Sequence, residues 1–198
     1  ASVHLNGTVT VDTLEVYRLI YRNVFFILSA DRGILRFDPV IADFYGGSFN
    51  GSAIVDLGSP ITIYSLTTDL NGFSCHEPLF NLFGKEIVSG KADLKFDLTS
   101  RGSDRYSIRK NLNGKAVYNV AHGILHGIRI VSVSICPPDD PLVLPGEEQI
   151  YLEQQEFMQL GGSIDIIEGI VTTENSRLLA KCLDLSGRGR INLPAKEI

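Results

Sequence analysis

Apolar and polar residues alternate with a period of two along most of this chain. In Lys91-Ala92-Asp93-Leu94-Lys95-Phe96-Asp97-Leu98, the apolar Ala92, Leu94, Phe96 and Leu98 fall on one side and four charges on the other. That is the pattern of a strand with one buried face. Val131, Val133 and Ile135 alternate with serines, and Leu183, Leu185, Ile191 and Leu193 alternate with polar residues. The same period runs through Thr8 to Val16, Arg22 to Ala30, Ile34 to Phe44, Phe49 to Leu57, Ile61 to Leu70, Gly114 to Val120, Phe157 to Ile167 and Ile170 to Thr173. The chain is predicted to be mainly β.

The connections are short and rich in turn residues: Asp31-Arg32-Gly33, Gly46-Gly47, Gly58-Ser59-Pro60, Asn113-Gly114 and Glu168-Gly169. Strands joined this way are antiparallel neighbours, so the first 70 residues read as a meander. Two or three short helices are expected to dock on it. Glu77 to Glu86 places Leu79, Leu82 and Phe83 at i, i+3 and i+4, and Ser103 or Asp104 is suited to cap a second helix through Leu112. Residues 137–148 concentrate four of the eight prolines and read as a surface loop or lid. Gly-Lys-Ala at 90 and 114 and Gly-Ser-Ile at 162 form a weak repeat, either a strand repeat or the ordinary habit of hairpins to start after glycine.

The 198 residues, 44% hydrophobic and 21% charged, suffice for a buried core. A formal charge of −5 gives no basic footprint for nucleic acid. No apolar run reaches the length of a membrane-spanning helix, and no signal peptide opens the chain. It begins at Ala1 and has a single methionine, Met158, as expected of a piece excised from a longer protein. Cys75, Cys136 and Cys182 lack metal or disulfide-framework spacing and read as small buried hydrophobes with at most one disulfide.

Each candidate for chemistry has a simpler structural reading. Phe44-Tyr45-Gly46-Gly47-Ser48-Phe49-Asn50-Gly51 is glycine-rich, but alternation resumes straight after it, without the helix and lysine of a phosphate loop. Gly187 and Gly189 lie opposite Arg188 and Arg190 within a strand, which suits either close packing of another backbone or a bulge. His122 and His126 have i, i+4 spacing, but Gly123 and Gly127 disfavour the helix a metal pair needs, and nothing in the sequence joins them to Cys75-His76. Asp93 with Asp97 and Asp139 with Asp140 read as solvated carboxylates, and no Gly-x-Ser-x-Gly elbow occurs. No catalytic residue, cofactor or metal is expected, and the protein reads as a non-enzyme.

Taken in order, Asn23 to Gly33, Ala42 to Gly51, Gly90 to Leu94, Leu112 to Ala116, Gly123 to Ile128, Phe157 to Ser163, Glu168 to Ile170 and Leu185 to Leu193 resemble the C-terminal region of the AsmA-like family of bacterial envelope proteins. The similarity is collinear over about residues 7 to 193, with Asn192 where the family more often has an acid. It implies a single domain over residues 1–198, mainly β, built as an extended, curled antiparallel meander sheet, and a periplasmic place for it in a protein anchored in the inner membrane. Its family role would lie in outer-membrane lipid homeostasis or transport and in envelope or outer-membrane protein assembly.

The implied partners are phospholipid or another lipid, other regions of the same chain, and envelope proteins. Leu94, Phe96, Ile164 and Ile166 are the expected lining of an apolar groove. The alternative is a structural or partner-binding β module with a filled core that carries no lipid.

Overall fold

The computed structural model describes residues 4–131, 151–181 and 183–194. Ten strands form one antiparallel sheet whose spatial order is the order of the sequence. They are β1 (His4–Val16), β2 (Leu19–Asp31), β3 (Ile34–Phe44), β4 (Gly47–Asp56), β5 (Ile63–Ser74), β6 (Val88–Arg101), β7 (Asn113–Val131), β8 (Tyr151–Ile167), β9 (Ile170–Ala180) and β10 (Leu183–Asn192). The sheet is not closed: β1 and β10 are its edges. The Pro-rich stretch 137–148, Cys136 and Cys182 lie outside the described residues.

Period two buries one face, and register shifts re-aim the strands so that it stays apolar. In β1, alternation runs through Leu5, Val9 and Val11, then changes phase at Asp12-Thr13 to Leu14 and Val16. The opposite strand makes the same change at Asn23, whose φ is +49°. Only the β1–β2 and β4–β5 ladders run without a shift. Each bulge increases local twist, which curls a meander of this width.

The bulge in β5 lies at Asn71-Gly72 and is clamped from β6. The Gly72 N–H donates to Asp93 at 2.8 Å and Lys91 Nζ donates to the Gly72 carbonyl at 3.1 Å. Asp93 therefore has a structural partner and is more than a solvated charge. Gly187 and Gly189 do flank a bulge, in the β10–β9 ladder. The repeated glycines do not start strands at matching heights. Gly90 lies inside β6, Gly114 faces Leu98, and Gly162 faces Tyr118.

Two short helices occupy opposite ends of the sheet. Helix α2 (Arg105–Lys110) begins at Asp104, whose carboxylate accepts the Ser107 N–H at 2.9 Å while Ser107 Oγ accepts the Asp104 N–H at 3.3 Å. Helix α1 (His76–Phe83) stops at Gly84, left-handed at φ +67°, whose N–H reaches the Phe80 carbonyl at 2.7 Å.

The docked side of α1 differs from the expected stripe. Pro78 is buried and Leu79 half-buried, whereas Leu82 and Phe83 are 43% and 60% exposed. The reason is tertiary. Asn81 turns inward to hydrogen-bond Tyr45, which fixes the rotation of the helix and carries Leu82 and Phe83 outward.

Candidate functional site

The apolar face of the sheet is the candidate site, and its relief is set by which residues stand opposite one another. Directly opposed residues of an antiparallel pair share a face. One row runs Val40, Gly51, Thr68, Phe96, Ala116, Ile164. The next runs Ala53, Leu66, Leu98, Gly114, Ile166. A third runs Phe49, Leu70, Leu94, Tyr118, Gly162. Small residues separate the large ones, so Phe96 and Ile164 flank Ala116, and Leu98 and Ile166 flank Gly114.

Leu94, Phe96, Ile164 and Ile166 thus share one face, and all four are half-buried. They are neither sealed nor fully exposed. Strands are spaced about 4.8 Å apart, so side chains two strands apart stand roughly 10 Å from each other across a low floor.

The ends of this face differ from its middle. Toward α1 it is closed by Phe44, Leu70, Phe73, Cys75, Val88, Ala92, Val120, Phe157, Leu178 and Ala180, one packed cluster. Tyr21, Phe44 and Phe49 stack within or against it at centroid separations of 5.0 and 5.4 Å. Burial, with Tyr45 nearby, pushes the Tyr21 phenol up, and burial likewise pushes the Cys75 thiol up. A thiol so held is poor in the thiolate that nucleophilic chemistry requires.

Helix α1 touches both β6 and β2 and is tied down through Tyr45, whose Oη accepts from Asn81 Nδ2 at 2.9 Å and from the Ile20 N–H at 3.2 Å. At the other end, Ser100 Oγ donates to the Ile108 carbonyl of α2 at 2.6 Å.

Polar atoms on the apolar face are few. Tyr118 Oη and Ser176 Oγ are 2.6 Å apart, and Ser176 Oγ and Thr173 Oγ1 are 2.8 Å apart, so three hydroxyls satisfy one another. Thr68 Oγ1, 1% exposed with its residue, has no partner. Sequence reading passed over Thr68. The signal was present: it occupies the apolar phase of Leu66-Thr67-Thr68-Asp69-Leu70, where a hydroxyl is out of place.

His122 and His126 are both on strand β7, with His122 at a bulge (φ +48°). His126 and His76, which nothing in the sequence joined, both approach Glu86, at 3.9 and 3.7 Å, and Ser89 Oγ lies 3.2 Å from His126 Nε2. Both Glu86 separations are longer than direct hydrogen bonds. Among the described residues, no group of His, Cys, Asp and Glu is arranged to hold a metal ion. No helix among them is long and apolar enough to cross a membrane.

The glycine-rich stretch is a hairpin: Tyr45 (φ +43°) and Gly46 (φ +77°) form the β3–β4 turn, and Gly47 already belongs to β4. A Cβ on Gly47 would collide with the Asn71 carbonyl oxygen.

The protein-family model for the AsmA family matches residues 3–175. The chain belongs to the AsmA family. Membership is consistent with a role in envelope or lipid homeostasis. No curated protein and no solved structure matches the chain.

Proposed function

We propose that this AsmA-family domain is a non-enzymatic, lipid-handling element of the bacterial envelope, in which the apolar face of the sheet receives acyl chains. The observation that carries the reading is the row Phe96, Ala116, Ile164 with its neighbour Leu98, Gly114, Ile166. Large apolar side chains border a floor of small ones, half-buried in a strip between the two helices. An acyl chain offers the dispersion contacts and water exclusion that such a floor lacks, at about 0.8 kcal/mol per buried methylene.

Family membership supports extending the proposal to location and role: a periplasmic domain of a protein anchored to the inner membrane, serving outer-membrane lipid homeostasis or transport and envelope or outer-membrane protein assembly. Its partners would then be phospholipid or another lipid, other regions of the same chain, and envelope proteins.

The test is lipid extraction and native mass spectrometry of the domain after incubation with bacterial phospholipid vesicles. Bound phospholipid is expected, and it should be lost when Phe96→Asp and Ile164→Asp are combined in a variant whose circular dichroism is unchanged. Absence of lipid from the wild-type domain, or lipid retained by that variant, would remove lipid carriage from this segment.

A second reading is a structural or partner-binding module with a filled core. The cluster at the α1 end favours it, because Phe44, Phe73 and Phe157 are already sealed there at 3%, 7% and 4% exposure. Under that reading the two aspartates would unfold the sheet without any lipid having been present.

A further inference from the structure

A polar cluster on the apolar face is placed by a bulge. Residues three apart on a strand ordinarily point to opposite faces. Strand β9 carries one extra residue between Thr173 and Ser176, against both β8 and β10, so these two share the apolar face. Asn175 Oδ1 secures the bulge by accepting the Ser163 N–H at 2.8 Å and the Ser163 hydroxyl at 3.0 Å. Gly162, opposite Tyr118, leaves the space in which the Tyr118 and Ser176 hydroxyls meet. A Cβ there would stand 3.1 Å from Tyr118 Oη and 3.2 Å from Ser176 Oγ.

Tyr118, Ser176 and Thr173 each have a hydroxyl partner, yet their protons do not balance. The three hydroxyls carry three protons, and the Tyr118–Ser176 and Ser176–Thr173 bonds use two, whichever atom donates in each. Among the described residues no other acceptor is bonded to the third. One O–H therefore stays available on a half-buried surface, where a donor without an acceptor is costly.

The surroundings select the acceptor. The row Leu94, Tyr118, Gly162 lies between the closed row Ala92, Val120, Leu160, Leu178 and the strip of Phe96, Ala116 and Ile164. From Tyr118 the strip runs about 14 Å along β7 to Gly114, at about 3.4 Å per residue. The charged residues Lys95, Asp97, Lys115, Asp165 and Arg177 have the other phase and lie on the other face. A phosphate or carboxylate would have those cations behind the sheet rather than beside the hydroxyls. A neutral carbonyl on an acyl chain meets both the free donor and the apolar strip.

We propose that the Tyr118, Ser176 and Thr173 cluster is a subsite for an ester carbonyl of an acylglycerol lipid. The free hydroxyl donates to the carbonyl oxygen while the attached acyl chain lies along β7 toward Gly114. The inference rests on the apolar face receiving acyl chains, and it adds which bond of the lipid is recognised and which way the chain runs. An ether oxygen is the weaker acceptor, so one donor should favour an ester over the matching ether by about threefold to tenfold, the range of one net hydrogen bond.

The experiment is native mass spectrometry of the protein after incubation with vesicles of equal parts diester and diether phosphatidylethanolamine, their chains matched in length and the two lipids told apart by mass. Bound diester in about threefold to tenfold excess is expected. A variant combining Tyr118→Phe, Thr173→Val and Ser176→Ala keeps no hydroxyl and should bind both lipids equally. Tyr118→Phe alone leaves two hydroxyls, one mutual bond and one free proton, and should keep the preference.

Equal binding of both lipids by wild type would overturn the subsite and leave the acyl-chain reading standing, and this comparison needs no variant to fold. A preference that survives in the triple variant, or is lost in Tyr118→Phe alone, would also overturn the subsite. Wild type that binds neither lipid would overturn the acyl-chain reading and the subsite with it.

Discussion

Tyr45 and Asn81 are joined by a 2.9 Å hydrogen bond that fastens α1 to the β3–β4 turn, 36 positions earlier in the chain. The same phenolic oxygen accepts the Ile20 N–H at 3.2 Å. Tyr45→Phe keeps the ring against Phe44 but strands both donors. It should cost about 1–2 kcal/mol in chemical denaturation, from the typical value of such bonds. Hydrogen exchange should locate the loss in α1 and the start of β2, with β8 and β9 unchanged.

Thr68 gives a prediction of opposite sign. Its hydroxyl is buried without a partner between Gly51 and Phe96. Thr68→Val replaces that hydroxyl by a methyl of similar volume and removes the cost of desolvating it. The variant should be more stable by about 1 kcal/mol, read as a higher urea midpoint at unchanged slope. A lower midpoint would mean that the hydroxyl has a bonded water.

The two glycines of the β3–β4 hairpin should respond unequally. At Gly46 the backbone is left-handed but only the distal Lys91 Nζ lies within 4 Å of an added Cβ, so Gly46→Ala costs about 1 kcal/mol of backbone strain. At Gly47 the added Cβ meets the Asn71 carbonyl and the Phe73 backbone in β5. Gly47→Ala should cost about 3 kcal/mol or more, or prevent folding, because two strands must separate. Thermal melts of the pair decide it.

Acid should weaken the α2 cap and the β9–β10 edge. Asp104 is held below the usual carboxylate range by the Ser107 N–H and then the Ser107 hydroxyl. Asp184 is held below it by hydrogen bonds from Arg177, at 2.8 and 2.5 Å. Below about pH 4 the unfolded chain therefore binds more protons than the folded one. The contribution is fully present above that range and is lost as pH falls through the lowered values. Denaturation midpoints should fall with pH there, and Asp104→Asn together with Asp184→Asn should flatten that dependence.

The Cys75 thiol, buried and pushed up, should resist a water-soluble thiol reagent in the folded protein. In a Cys136→Ser, Cys182→Ser background its labelling should be slow in buffer and immediate in denaturant. Fast labelling in buffer would show that the cluster beneath α1 opens readily.

The strands, their order and the apolar face were legible because period-two alternation and short polar turns are local. A strand such as Lys91 to Leu98 declares its two faces within eight residues. Even the phase change in β1 is written in the sequence, at Asp12-Thr13. What alternation cannot state is which residues stand opposite one another, because that depends on bulges in the neighbouring strand.

Phe96 and Ile164 come to flank Ala116 only through two ladders whose registers are fixed by contacts across the sheet. The rotation of α1 is another case. Leu79, Leu82 and Phe83 form an apolar stripe, yet a hydrogen bond to Tyr45 turns Asn81 inward and carries Leu82 and Phe83 into solvent. Local periodicity thus determined that one face of this sheet is apolar. Tertiary register, which couples residues far apart in sequence, decided where that face is sealed and where it lies between small residues and large ones.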